Sequence, residues 1–168
     1  PNWWSRGIML SASGAFSNAG SIQLGNLLSN TTGIFVDGSG GFTNTSDGTI
    51  TINNTANNGV LVEVAGSSFL NNGDLLIGTA GSSMENGILV QNNSTFSNGA
   101  TGLIRINKAN AQWWSKSVAV ISATFTNSGS IEAGNSSLNS YGLHVESTGS
   151  FTNQVSGTIR VNATTYNG

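Results

Sequence analysis

Cysteine is absent from this 168-residue chain, so no disulfide can hold its fold together. Proline occurs once, and charged side chains make up only 7% of the residues. The five lysines and arginines are scattered along the sequence, whereas a nucleic-acid-binding surface needs them clustered. Packing and backbone hydrogen bonds must therefore stabilise the fold, and we expect no nucleic-acid partner.

Long apolar runs are also missing. No stretch approaches the roughly 18 consecutive apolar residues that a membrane-spanning helix needs, and no secretory signal peptide is present. The sequence starts at Pro1 without a methionine. We therefore interpret residues 1–168 as a single segment of a longer protein, without a membrane span of its own.

Six of the seven phenylalanines recur at intervals of 26–29 residues, and an asparagine follows each of these six two positions later. A period in this range indicates one supersecondary unit copied along an axis. The phenylalanines are Phe16, Phe42, Phe69, Phe96, Phe125 and Phe151, and the asparagines are Asn18, Asn44, Asn71, Asn98, Asn127 and Asn153.

Each copy contains three short segments in which apolar residues alternate with polar ones. Upstream of the phenylalanine lies a Gly-apolar-x-apolar run such as Gly33-Ile34-Phe35-Val36, and downstream a glycine precedes a pair such as Ile50 and Ile52. Period-two alternation predicts β-strands, and the intervening Gly, Asn, Ser and Asp residues predict turns. No helical spacing of useful length occurs.

Three strands and three turns in about 27 residues predict one coil of a parallel β-helix. Propeller blades need four strands and about 40 or more residues, so the repeat is too short for them. The general chirality of parallel connections predicts a right-handed winding. We expect about six coils, which start near residues 7, 33, 59, 87, 117 and 142.

Stacked coils place equivalent side chains directly above one another. The phenylalanines are expected to form one inward column, and the asparagines a second column at the corner. Their amides can then bond to each other and to turn backbone, as polar ladders do in other β-stacks. We interpret both columns as structural.

Two tryptophan pairs have matching surroundings, Trp3-Trp4-Ser5-Arg6 and Trp113-Trp114-Ser115-Lys116. They either pack on their own coils and cover long turns, or form an exposed aromatic platform for a sugar ring or a partner protein. The second pair lies in an insertion, residues 108–116, which slightly favours a functional role because insertions in repeats map to loops on one face.

The outward position in the first strand of most coils is apolar, although a solvent-facing position is expected to be polar. An exposed row of this kind indicates a contact surface. The chain's own long turns could cover it, or another solenoid could dock there. The row consists of Met9, Phe35, Leu61, Leu89, Ala119 and His144.

A second outward row, on the strand that carries the phenylalanines, contains serine and threonine: Ser17, Thr43, Ser97, Thr126 and Thr152. Regular threonine arrays on flat solenoids can order water and bind ice, but this row is thin evidence for ice binding because it is a single column and Leu70 interrupts it.

Catalytic and metal-binding patterns are not visible. The seven acidic residues are spread along the sequence without a clustered register, and His144 is the only histidine. A surface or contact histidine is more common than a general base in such a position. We therefore expect no enzyme activity, no metal and no cofactor.

The unit Gly-Ile-x-Val … Phe-Thr-Asn-x-Gly-x-Ile-x-Ile resembles the repeats of filamentous-haemagglutinin and autotransporter-type adhesins, and of giant repetitive bacterial surface proteins. The resemblance covers about residues 7–162 and implies export, a long β-helical stalk and attachment to surfaces or cells. It implies further coils or other solenoid subunits as partners, and it provides no site residues. The alternative is a carbohydrate-binding solenoid that uses the tryptophans to stack on surface glycans.

Overall fold

The computed structural model describes residues 5–27, 31–79, 84–107, 114–134, 139–162 and 164–167. Within these ranges the chain contains nineteen β-strands and no helix. The strands form three parallel sheets, and each sheet receives one strand from every coil. The chain is therefore a parallel β-solenoid, as the repeat predicts.

The first sheet has seven strands and contains the Gly-apolar-x-apolar segments. Its strands are β1 (Arg6–Leu10), β4 (Thr32–Val36), β7 (Asn58–Val62), β10 (Asn86–Gln91), β13 (Lys116–Ile121), β16 (Asn139–Glu146) and β19 (Thr164–Asn167).

The second sheet has six strands, and each contains one Phe-x-Asn triplet. These strands are β2 (Ala15–Asn18), β5 (Gly41–Asn44), β8 (Ser68–Asn71), β11 (Thr95–Asn98), β14 (Thr124–Asn127) and β17 (Ser150–Asn153).

The third sheet has six strands that follow the turn glycine. They are β3 (Ser21–Leu27), β6 (Thr49–Thr55), β9 (Asp74–Ile77), β12 (Leu103–Ile106), β15 (Ser130–Ala133) and β18 (Thr158–Val161).

Neighbouring strands pair in the register that the repeat predicts. Phe96, for example, lies between Phe69 of the preceding coil and Phe125 of the following one. Val118 of the first sheet pairs with Ile88 and Leu143 in the same way. A slip of one residue would turn every inward side chain outward, so the buried face fixes this register.

The core is a continuous column of apolar side chains enclosed by the three sheets. In the middle coils Ile50, Leu75 and Ile104 are fully buried, as are the phenylalanines at 1% exposure or less. Coils at either end have only one neighbour, so Phe16 is 39% exposed and Ile159 is 38% exposed. Each coil therefore buries its apolar face against the next coil.

Glycine is required at the corner that leads into the first sheet. A Cβ on Gly87 would lie 2.6 Å from the carbonyl oxygen of Ser117 and 2.8 Å from Cγ2 of Ile106. Gly33 and Gly59 are equally enclosed, each by an isoleucine of the third sheet and by the corner carbonyl of the next coil. Stacked corners leave no space for a side chain.

The fifth coil departs from this rule through two linked changes. Ser117 replaces the corner glycine, and Ala133 replaces the isoleucine found at residues 52, 77 and 106. The smaller alanine makes space for the serine side chain, which is fully buried and has no hydrogen-bond partner at its Oγ. A small apolar pocket of about 10 Å³ lies beside Ala133, lined also by Gly142 and Val161.

The described ranges include no helix of the length and apolarity that crossing a membrane requires.

Candidate functional site

The phenylalanines form an uninterrupted stack along the axis of the solenoid. Successive ring centroids are 4.7–4.9 Å apart from Phe16 to Phe151. Between Phe42 and Phe125 the ring planes differ by only 3–7°. The rings of these four coils therefore stack nearly parallel to one another.

The asparagines form a hydrogen-bonded ladder that runs parallel to the phenylalanine stack. Each Nδ2 donates to Oδ1 of the asparagine in the next coil over 2.7–2.9 Å. All five bonds point in the same direction, from Asn18 towards Asn153. The ladder thus joins six coils without a break.

Each asparagine amide also secures the turn of its own coil. Asn71 Nδ2 donates to the carbonyl oxygen of Gly73 over 2.9 Å, and Asn98 Nδ2 donates to that of Gly102 over 3.1 Å. One amide hydrogen therefore joins two coils while the other fixes the turn. Asn44, Asn71 and Asn127 are completely buried, so these bonds are shielded from water.

Polar side chains on the first sheet form shorter ladders that the sequence interpretation missed. Asn86 Nδ2 donates to Asn58 Oδ1 over 2.9 Å, and Gln91 Nε2 donates to Glu63 Oε1 over 2.7 Å. Their signal in the sequence was the presence of hydrogen-bonding residues at equivalent positions of adjacent coils.

Three of the four tryptophans, Trp3, Trp4 and Trp113, lie outside the described residues. Trp114 lies two residues before the start of β13 and is 40% exposed. Trp114 is therefore the one member of the two tryptophan pairs whose exposure the structure describes.

The outward row of the first sheet is apolar but not uniformly accessible. Met9 is 47% exposed, and Leu61 and Leu89 are half-buried. Phe35 is only 3% exposed, and the Arg6 guanidinium lies 4.3 Å from its ring centroid. With Ala119 also fully buried, the accessible part of the row is not continuous.

His144 lies at the end of this row and contacts an acidic neighbour. Its Nε2 is 3.0 Å from Oε2 of Glu146, and its ring is 5.5 Å from that of Tyr141. Across the described ranges no three His, Asp or Glu side chains are grouped closely enough to hold a metal ion.

The third sheet presents a polar outer row with a charge pair. Arg105 Nε donates to Glu132 Oε2 over 2.8 Å between adjacent coils. The pair is partly exposed, so it contributes about 1 kcal/mol or less to stability.

Comparison with protein-family models, with curated proteins and with solved structures finds no match to this chain. Fold and ladders define its class, a parallel β-solenoid of about 27-residue coils with stacked phenylalanines and an asparagine ladder.

Proposed function

We propose that this chain is a structural and adhesive segment of an extracellular bacterial surface protein or appendage. In this role the solenoid acts as a stiff rod that displays or joins binding surfaces. The observation that carries the proposal is the unbroken asparagine ladder, because it adds one side-chain bond to the backbone bonds of three sheets at every step.

Stiffness follows from the arrangement of these bonds around the axis. Bending a three-sided solenoid must stretch the hydrogen bonds of at least one sheet, and each coil is also held by phenylalanine stacking. A rod of this kind keeps a binding surface away from its anchor without a folded globular spacer. Few charged residues, with abundant glycine, asparagine, serine and threonine, suit an extracellular position, and the repeat pattern resembles that of bacterial adhesins.

Lateral contacts between solenoids would use the accessible part of the outward apolar row. Met9 is the most exposed member, and Leu61 and Leu89 lie further along the same face, beyond the buried Phe35. The test compares Met9→Asp with Gln23→Asp, a matched substitution at an exposed outward position of the third sheet. Light scattering should show concentration-dependent association for the native chain and Gln23→Asp, and lose it for Met9→Asp. If the native chain shows no concentration-dependent association, that result would contradict lateral docking.

Adhesion itself is tested by measuring retention of the native chain on bacterial and host-cell surfaces and on abiotic surfaces. Retention above that of an unrelated solenoid of equal length supports the proposal. Retention no greater than that of the control would contradict it. We propose no catalytic activity and no cofactor, which incubation with polysaccharides and analysis for cleavage products would check.

Carbohydrate binding is the second candidate, and the exposure of Trp114 is the observation that favours it. Aromatic rings stack on the apolar faces of sugars, so glycan binding should change the tryptophan fluorescence. A glycan-dependent shift that Trp114→Phe reduces would support this function. No shift with any glycan would refute it.

A further inference from the structure

The outer face of the second sheet carries two columns of hydroxyl groups, not the single column visible in the sequence. Each of its strands directs its first and third residues outward and its phenylalanine and asparagine inward. We call these outward positions the hydroxyl face. It consists of Ala15, Ser17, Gly41, Thr43, Ser68, Leu70, Thr95, Ser97, Thr124, Thr126, Ser150 and Thr152.

Most positions on the hydroxyl face are serine or threonine, and none is charged. The third sheet differs, because the Arg105–Glu132 ion pair crosses its outer face. On the hydroxyl face Thr95, Thr124 and Thr152 are exposed. Hydroxyl groups are densest in the C-terminal half of the face, where both columns carry them in three consecutive coils.

The hydroxyls are available to bind something outside the chain. Thr95 Oγ1 lies 3.5 Å from the carbonyl oxygen of Ser67, which is a long and weak hydrogen bond. The other serines and threonines of the hydroxyl face make no side-chain hydrogen bond within the described ranges. Their donors and acceptors are thus left to solvent or to a ligand.

The in-register pairing of the strands gives these hydroxyls a regular spacing. The phenylalanines on the reverse side of the same strands repeat every 4.7–4.8 Å with nearly parallel planes. The outward columns share this repeat because they belong to the same paired strands. Within a strand the two columns are about 6.6 Å apart, twice the rise per residue.

This repeat is close to a distance set by water itself. Two oxygens that bond to one tetrahedral water at about 2.75 Å are about 4.5 Å apart. A single water can therefore bridge equivalent hydroxyls on adjacent coils, and the bridge repeats along each column. The stacked core keeps the spacing constant, so the two columns match an ordered array of bridging waters.

We propose that the hydroxyl face binds ice through the waters that bridge its hydroxyl groups. The face has no aromatic side chain on which a sugar could stack and no charge to attract an ionic partner, so its chemistry favours a lattice of uncharged hydrogen-bonding groups. This function goes beyond the adhesive role and does not depend on it.

The test measures how much protein is taken up by ice grown slowly from a solution of the 168-residue chain. We expect enrichment of the native chain in the ice. Thr126→Tyr projects a bulky ring from the middle of the densest part of the face and should reduce uptake to that of a protein that does not bind ice. Thr51→Tyr places the same ring on the outer face of the third sheet, on β6, and should leave uptake unchanged.

A gain-of-function variant protects the test against a folding artefact. Leu70→Thr completes the interrupted column, so it should raise uptake above that of the native chain while the circular dichroism spectrum stays the same. Exclusion of the native chain from ice would overturn the proposal. Equal loss of uptake in Thr126→Tyr and Thr51→Tyr would overturn it as well, because the effect would not depend on the hydroxyl face.

Discussion

Replacing Asn98 by alanine removes one rung from the middle of the asparagine ladder. Asn98 is 1% exposed, and its Nδ2 donates to Asn127 Oδ1 over 2.8 Å and to the Gly102 carbonyl over 3.1 Å. Its Oδ1 accepts from Asn71 Nδ2 over 2.8 Å. The substitution therefore breaks the ladder on both sides and frees the turn.

The loss of stability depends on which hydrogen bonds the partners of Asn98 retain after the substitution. Asn71 Nδ2 still bonds to the Gly73 carbonyl, and the Gly102 carbonyl still accepts from the Ser130 amide. Asn127 Oδ1 loses its donor in a buried site, which costs about 1–3 kcal/mol, and the other lost bonds cost about 1 kcal/mol each. We expect the free energy of unfolding to fall by about 3–5 kcal/mol in total.

Asn153→Ala is the matched control, because Asn153 belongs to the same column but is exposed and has one ladder neighbour. It should cost about 1 kcal/mol. Urea unfolding followed by circular dichroism gives both values from the midpoint and slope. Equal losses in the two variants, or a loss below about 1 kcal/mol for Asn98→Ala, would refute the assignment of stability to the buried ladder.

Two further predictions concern the corner glycines. Gly87→Ala should lower the free energy of unfolding by about 1–3 kcal/mol, because the new Cβ would overlap the Ser117 carbonyl oxygen. Gly20 has open space around it, so Gly20→Ala should leave the free energy of unfolding unchanged. Thermal unfolding of both variants would check this, and equal effects would contradict it. Ala133→Ile alone should destabilise the fifth coil by crowding Ser117, but with Ser117→Gly it should restore the pattern of other coils and fill the nearby pocket. A double-mutant cycle should therefore give a favourable coupling of about 1–3 kcal/mol, and additive effects would refute the linkage.

The repeat in the sequence predicted the three sheets, the phenylalanine stack and the asparagine ladder, because each depends on a short pattern that is copied in every coil. The repeat period and the period-two alternation within strands were enough to place the six phenylalanines, from Phe16 to Phe151, and their asparagines. The same logic missed the second hydroxyl column, because its members, such as Ala15 and Gly41 in the first coils, vary between copies.

Features that depend on contacts between different strands or coils, and not on the pattern of one strand, were not predictable from the repeat. The burial of Phe35 depends in part on Arg6, which lies in the preceding coil on the paired strand. The exchange of Gly and Ile for Ser117 and Ala133 joins two sheets across the core, so neither change is explained by its own strand. Comparing the copies position by position would have found this pair.

The most direct test of the whole account is the register between adjacent coils. The chain has no native cysteine, so a double variant Ser97→Cys with Thr126→Cys introduces the only pair of thiols. These residues are partners on β11 and β14, and neighbouring parallel strands lie about 4.8 Å apart, within the range that a disulfide spans. We predict rapid disulfide formation under mild oxidation for this pair, and little for Ser97→Cys with Thr124→Cys, which is out of register by two residues. Equal cross-linking of both pairs, or none in the first, would contradict the stacked solenoid.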